Sequence, residues 1–155
     1  MKFVIQRVKN ASVEINSKIY SEIEKGFLVF VGISDNDTCE IADKMIQKMI
    51  GLRIFEDENE KINLSLKDVD GDLLIVSQFT LYADCKKGNR PSFINAGKPD
   101  FANSLYEYIL DKTQTLYGKQ IYSGEFGADM KVSLVNDGPF TIILNSDEIL
   151  PNKIQ

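Results

Sequence analysis

Three segments of this sequence carry side chains whose types and spacing could do chemistry. Ser77-Gln78-Phe79-Thr80-Leu81-Tyr82 follows the apolar run Leu73–Val76 and then alternates polar with apolar residues. A strand leaving the core to line a cleft reads this way, with two hydroxyls and an amide as candidate groups. An ordinary strand end turning its polar side chains to water reads the same. Asn136-Asp137-Gly138-Pro139 lies between two apolar runs. All four are turn residues, so a hairpin is the plain reading. A proline where the second strand should begin is awkward, because it removes a ladder donor. The third segment is Lys86-Lys87-Gly88-Asn89-Arg90-Pro91. Residues 84–100 hold four basic side chains (Lys86, Lys87, Arg90, Lys98) and two acidic ones (Asp84, Asp100), on a chain of net charge −5. That is a phosphate-sized basic patch or a solvated loop.

The rest of the composition narrows the chemistry. The 155 residues include no histidine. This removes the Ser-His-Asp and Cys-His arrangements, the imidazole base and nearly all zinc chemistry. Catalysis then rests on hydroxyls, carboxylates, amines, backbone dipoles or groups of the substrate. Cys39 and Cys85 stand far apart with no Cys-x-x-Cys spacing, as in small buried or half-buried residues of a reduced compartment. The acid cluster Glu56-Asp57-Glu58 with Glu60 lacks a glycine-framed calcium spacing and reads as a solvated loop. No metal and no cofactor is expected. The acidic balance argues against sequence-blind clamping of a duplex, which needs a basic face, but allows a grip on one nucleic-acid end. No signal peptide and no apolar run of spanning length is visible, so a cytoplasmic location is expected.

The elements that must position these segments can be read coarsely. Phe3, Ile5, Val13 and Ile15 alternate as in half-buried strand, and Asn16-Ser17 suits a tight hairpin into Lys18–Glu24. Gly26 opens Phe27–Ile33, a central strand. Asp37 or Thr38 can cap a helix whose apolar stripe is Ile41, Met45, Met49 and Leu52, joined by Ala42, Ile46 and Ile50. Residues 53–63 suggest an edge hairpin. Leu73–Val76 is buried strand running into Ser77–Tyr82, and residues 83–98 form a loop. A long helix from about Phe101 to Tyr117 should pack through Leu105, Tyr108, Ile109, Lys112 and Leu116, with Gly118 as its stop. Met130–Val135 and Thr141–Asn145 are strands. The sum is one α+β domain over residues 1–148, with a tail at 149–155. Its sheet should be curled and mostly antiparallel, with six or seven strands and two long helices on one face.

Together the segments make the chain resemble the D-aminoacyl-tRNA deacylase family, also called D-tyrosyl-tRNA deacylase. The resemblance runs nearly end to end. It rests on Val4-Ile5-Gln6-Arg7-Val8, on residues 77–82, on the loop at 86–93, on Phe126-Gly127-Ala128-Asp129-Met130 and on residues 136–141. It implies a homodimer with active sites at the interface, where Ser77, Gln78, Phe79 and Thr80 of one subunit meet a Gly138-Pro139 cis segment of the other. It implies that Arg7 holds the Gly-Pro carbonyls in orientation, and that Phe126 and Met130 frame the pocket for the terminal adenosine. Phe140 departs from the pattern, since a small β-branched residue is usual there; this puts local packing in question.

The implied reaction is hydrolysis of the ester between a D-amino acid and a tRNA 3′ end, sparing L-amino acids. Thr80 is the tempting nucleophile, but a hydroxyl needs a base. The reading preferred is a positioned water, with amides around Phe79–Thr80 stabilising the oxyanion and the ribose 2′-hydroxyl moving a proton. Exclusion of L side chains by the Gly138-Pro139 backbone would also admit glycyl-tRNA, as when glycine is mischarged on tRNA(Ala). Lys86, Lys87 and Arg90 are candidate phosphate contacts. Two alternatives stand beside this: a non-catalytic RNA-end binding module, and a related deacylase that removes L-alanine.

Overall fold

Asn16 and Ser17 both adopt left-handed backbone angles (φ 51° and 61°) and close the first hairpin of the computed structural model. A two-residue turn with both central φ positive matches the right-handed twist of the flanking strands. The structure describes residues 1–150. In chain order it contains β1 (Lys2–Ile15), β2 (Lys18–Ile23), β3 (Gly26–Gly32), α1 (Cys39–Ile50), β4 (Phe55–Glu56) and β5 (Ile62–Leu64). There follow β6 (Asp72–Ser77), a 3₁₀ turn (Phe79–Tyr82), α2 (Pro99–Tyr117), β7 (Tyr122–Ser123), β8 (Lys131–Asn145) and the single turn α3 (Ser146–Ile149).

β1 is the spine of a six-stranded sheet. Along one edge it pairs with β3 over Lys2–Val8 and with β2 over Ala11–Ile15; along the other it pairs with β8 over nearly its whole length. β6 adds to β3, and β7 to β6. The Ser21 hydroxyl donates to the Ser123 carbonyl at 2.7 Å, so β2 reaches round to β7 and the sheet nearly closes. The expectation of a mostly antiparallel sheet needs a correction: the sheet is mixed, because β3–β6 and β6–β7 run parallel. The crossover through α1 and the β4–β5 hairpin returns the chain to the end where β3 began, which a parallel pairing requires. That hairpin occupies the charged stretch at 53–63 as a separate two-stranded sheet. Asp57 organises its turn by accepting from the Lys61 and Asn59 amides, which together hold its carboxyl below the usual range.

Two cores flank the sheet. Phe3, Ile5, Phe27, Val29, Val31, Leu73 and Ile75 meet both long helices on one face; Val8, Ala11, Val13, Leu28, Leu74 and Val76 fill the inside of the curl. β1 gives Phe3 and Ile5 to the first core and Val8 to the second, yet odd-numbered Ala11 and Val13 also join the second, because its ladder to β8 skips Lys9 between Val8–Asn136 and Asn10–Val135. An odd number of unpaired positions exchanges the two faces of a strand.

Of the two cap candidates, Thr38 caps α1, its hydroxyl accepting from the Ile41 amide at 3.2 Å. Asp37 is instead buried, accepting from the Met1 amino group at 2.6 Å and from the Ser34 amide at 2.8 Å. Gly118 ends α2 in a left-handed conformation (φ 75°). The expected packing stripe of α2 is rotated. Leu105 and Ile109 are buried, but with Ala102, Tyr106, Thr113 and Tyr117, while Leu116 is 42% exposed. Tyr108 and Lys112 turn to the neighbouring helix, where both reach Asp43 of α1, at 2.7 and 3.4 Å. The tail expected at 149–155 begins within α3, whose Ser146 is buried and accepts from the Met1 amino group at 2.7 Å. Residues 151–155 lie outside the described residues.

Candidate active site

β6 ends at Ser77, opposite Val31, and the Gln78 amide makes the last ladder bond, to the Val31 carbonyl at 2.8 Å. The strand expected to continue through Tyr82 stops there. Gln78 (φ −146°, ψ 86°) turns the chain into the 3₁₀ turn, closed by Leu81 N–H to Gln78 O at 3.3 Å and Ala83 N–H to Thr80 O at 3.0 Å. A turn of this kind leaves its first amides without an upstream carbonyl. Those amides belong to Phe79 and Thr80, and among the described residues neither has an acceptor. Phe79 is 58% exposed and Thr80 is exposed too, so the residues that carry both donors stand at the surface. Alternation of polar and apolar residues is common to a strand and to a short turn, so the pattern could not separate them.

Gln78 Nε2 donates to Thr80 Oγ1 at 2.5 Å. An amide is not a base at either end, and no carboxylate or amine reaches this hydroxyl among the described residues. The turn rests on Lys2, whose ammonium donates to the Leu81 carbonyl at 3.2 Å and lies 4.8 Å from the centre of the Tyr82 ring. Burial, with the Asp37 carboxylate nearby, pushes the Tyr82 phenol up to about 12, so it stays neutral at ordinary pH.

Phe126 and Met130 bracket the same end of β6 from its two faces. Gly124 donates to the Ile75 carbonyl at 3.3 Å, and the Met130 sulfur packs over Gly124 next to Val76. Phe126 lies against Tyr106 (centroids 6.1 Å apart), whose hydroxyl donates to the Ile75 carbonyl at 2.7 Å. The loop carrying Lys86, Lys87 and Arg90 is pinched at its base by paired bonds between Asp84 and Ser92, 2.7 and 2.9 Å. All three basic side chains are exposed and, among the described residues, outside any ion pair. Cys85 in this loop and Cys39 at the start of α1 are exposed as well, against the expectation of burial. Phe93 packs its ring edge-on against Phe79 at 5.1 Å, joining the loop to the turn.

Asn136-Asp137-Gly138-Pro139 is not a hairpin turn. The chain passes through it without reversing, as a bulge within the single strand β8. Thr141 pairs with Gln6 and Asn136 with Val8, so residues 137–140 stand opposite Arg7 alone. The Gly138–Pro139 peptide is cis, and Gly138 has φ 145°. A β-carbon there would sit 3.0 Å from the Phe140 nitrogen and 3.4 Å from Arg7 Nη2. Proline without an N–H, beside a glycine in a conformation that L side chains rarely adopt, cannot continue a ladder.

Arg7 is 5% exposed and fills the gap under the bulge. Its Nε donates to the Asp137 carbonyl at 2.9 Å and its Nη1 to the Ile54 carbonyl at 2.7 Å. The contact is thus with the peptide just before Gly138. The Phe140 ring lies 4.7 Å from the guanidinium carbon, so the unusual aromatic is accommodated by stacking on Arg7. Asn136 ties the far side, its side-chain oxygen accepting from the Phe140 amide at 2.6 Å.

The structure therefore gathers Ser77–Thr80, Phe126, Met130 and the basic loop at one end of β6, and Arg7 with Gly138-Pro139 elsewhere. Ser77 is level with Phe3 through Val31, and Arg7 is four residues further along β1. That places Arg7 about 13 Å along the strands and about 10 Å across them from Ser77, with Gly138-Pro139 one strand further across on β8. Lys2 and Ile54 are supporting residues that sequence reasoning missed, while Tyr82 and Phe93 lie in singled-out segments whose mutual packing it did not show. These contacts join residues distant in sequence, which leave no local signal.

Against known proteins, a model of the D-Tyr-tRNA(Tyr) deacylase family matches residues 4–145. A D-aminoacyl-tRNA deacylase of Flavobacterium psychrophilum is 56% identical over 146 residues, covering 94% of this chain and 97% of that protein. One from Thermosipho melanesiensis is 49% identical, covering 96% and 99%. Among solved structures, a c-Myc DNA unwinding element binding protein superposes with TM-score 0.89 at 41% identity, covering 94% of this chain and 98% of that one. A probable eukaryotic D-amino acid tRNA deacylase gives 0.80 at 20% identity over 92% and 97%, a likeness of fold.

Proposed function

Because the chain belongs to the D-Tyr-tRNA(Tyr) deacylase family, we propose that it hydrolyses the ester joining a D-amino acid to the 3′-terminal ribose of tRNA. It thereby acts in the cytoplasm as a proofreading enzyme of translation. The family match over residues 4–145 carries this reading; the geometry supplies a way to perform it. The ester carbonyl oxygen is received by the unpartnered amides of Phe79 and Thr80, placed where negative charge develops as water attacks. Thr80, held by Gln78, positions substrate or water and is not the nucleophile, since nothing near it takes its proton. An aminoacyl ester is activated by its own ammonium group, and the adjacent ribose 2′-hydroxyl moves the proton.

The amino acid's ammonium is taken by carbonyls of Gly138-Pro139 from a second copy of the chain. The distance between the two groups of residues within one chain supports a homodimeric site of this kind. Phe126 and Met130, at the end of β6, frame the terminal adenosine.

Purified protein should release free D-tyrosine from D-tyrosyl-tRNA; an ester as long-lived as in buffer would overturn the reading. On a tRNA ending in 2′-deoxyadenosine the rate should fall roughly 100-fold, the scale of lost general acid–base catalysis. Undiminished hydrolysis would remove the 2′-hydroxyl from the mechanism. Thr80→Ala should keep kcat within roughly tenfold, as for one positioning hydrogen bond. A fall of several thousandfold would make Thr80 the nucleophile.

The solved structure named for DNA binding favours a second reading, a nucleic-acid-binding protein without turnover. The net charge of −5 weighs against it for duplexes, and multiple turnover would exclude it.

A further inference from the structure

Just past the 3₁₀ turn lies an open cavity of about 380 Å³, whose lining includes Lys2, Tyr82, Asp84, Lys86 and Asn95. At roughly 2 Å rise per residue, Tyr82 stands about 4 Å along the turn from Thr80. The cavity therefore adjoins the place where the terminal ribose ester would be held. Two ammonium groups border it. Lys2 has three donors and places one on the Leu81 carbonyl. Lys86 has no ion pair among the described residues. The single acid, Asp84, accepts from the Lys86 amide at 2.9 Å, which turns one of its oxygens back into the loop. Two cations and one anion leave a local charge of +1 on an acidic chain. Asn95 adds a neutral donor and acceptor.

Resting on the proposed function, we infer that this cavity holds the phosphodiester and ribose of the nucleotide preceding the terminal adenosine. Lys2 and Lys86 take the phosphate oxygens, and Asn95 faces the ribose hydroxyl. The chemistry matches: a single-stranded RNA end presents one phosphate per nucleotide, and lysine meets phosphate as a point charge with rotatable donors. Lys87 and Arg90 belong to the same loop but do not line the cavity. They act on the tRNA only through long-range attraction.

The test uses two small substrates, the D-tyrosyl ester of adenosine and that of cytidylyl-adenosine, which adds one phosphodiester. In the wild type the second should have roughly tenfold higher kcat/KM, the scale of a phosphate held by one half-buried and one exposed cation. Lys86→Glu should bring that ratio to near one, Lys86→Arg should keep it, and Lys87→Glu and Arg90→Glu should lower it by no more than about twofold, as for screened long-range attraction alone. On whole D-tyrosyl-tRNA, Lys86→Glu should flatten the dependence of log KM on log salt by about 0.7, the value for one contact on a single strand. A wild-type ratio near one, or an unchanged salt slope in Lys86→Glu, would overturn the subsite while leaving the deacylase reading intact. Failure of the wild type on the whole tRNA would instead defeat that reading.

Discussion

D-tyrosyl-tRNA and glycyl-tRNA should lose their ester bonds at comparable rates while L-tyrosyl-tRNA is spared, with kcat/KM for the L ester lower by roughly 10³-fold. The argument is the stiffness of the bulge at Gly138-Pro139. It is tied at both ends to β1, through Thr141 on Gln6 and Asn136 on Val8. Asn136 holds the Phe140 amide at 2.6 Å, and Arg7 holds the Asp137 carbonyl at 2.9 Å. In the proposed mechanism carbonyls fixed in this way would accept the substrate's ammonium, and an L side chain would then be directed into backbone that cannot retract. Overpacking costs about 1–3 kcal/mol, and a displaced ester adds a further factor of roughly 100. Glycine has no side chain to exclude. Initial rates on the three esters check this. Equal cleavage of D and L esters, or a glycyl ester that resists, would end the exclusion model.

Arg7→Ala should lower unfolding free energy by about 3 kcal/mol and kcat/KM for the D ester by roughly 100-fold. The side chain is 5% exposed and its guanidinium satisfies the carbonyls of Asp137 and Ile54 at 2.9 and 2.7 Å. Truncation strands both carbonyls, which costs about 1–3 kcal/mol for a buried acceptor, and leaves the Phe140 ring without its partner. Lysine cannot replace it, because a single ammonium lacks the planar fork that reaches both carbonyls. Urea unfolding and ester kinetics separate the two effects. A stability loss with an unchanged ratio of D to L rates would confine Arg7 to folding.

Much of the chain's local structure was legible in its sequence. The Asn16-Ser17 turn, the Thr38 cap, the methionine-bearing stripe of α1 and the Gly118 stop each depend on residues within one or two turns of one another. Patterns of that reach are written directly in residue order. The residues of the candidate site were also legible, as motifs, together with the family to which the chain belongs.

Their arrangement was decided by contacts across the fold. Residues 136–139 have the composition of a hairpin, yet they form a bulge, because β1 is long enough to pair with the strand on both sides of them. A turn and a bulge ask for the same residues, and only the partner strand chooses between them. The run after Val76 becomes a 3₁₀ turn carried on Lys2, a residue 79 positions distant from Leu81. Arg7 is a charged strand residue that is buried because two separate stretches, Ile54 and the bulge at 137–140, close over it. The separation of Gly138-Pro139 from Ser77–Thr80 within one chain likewise follows from register along β1, β3 and β6. Sequence alone fixed which groups were available and the local turns that hold them. Register and burial, set by long-range pairing, decided which of those groups meet.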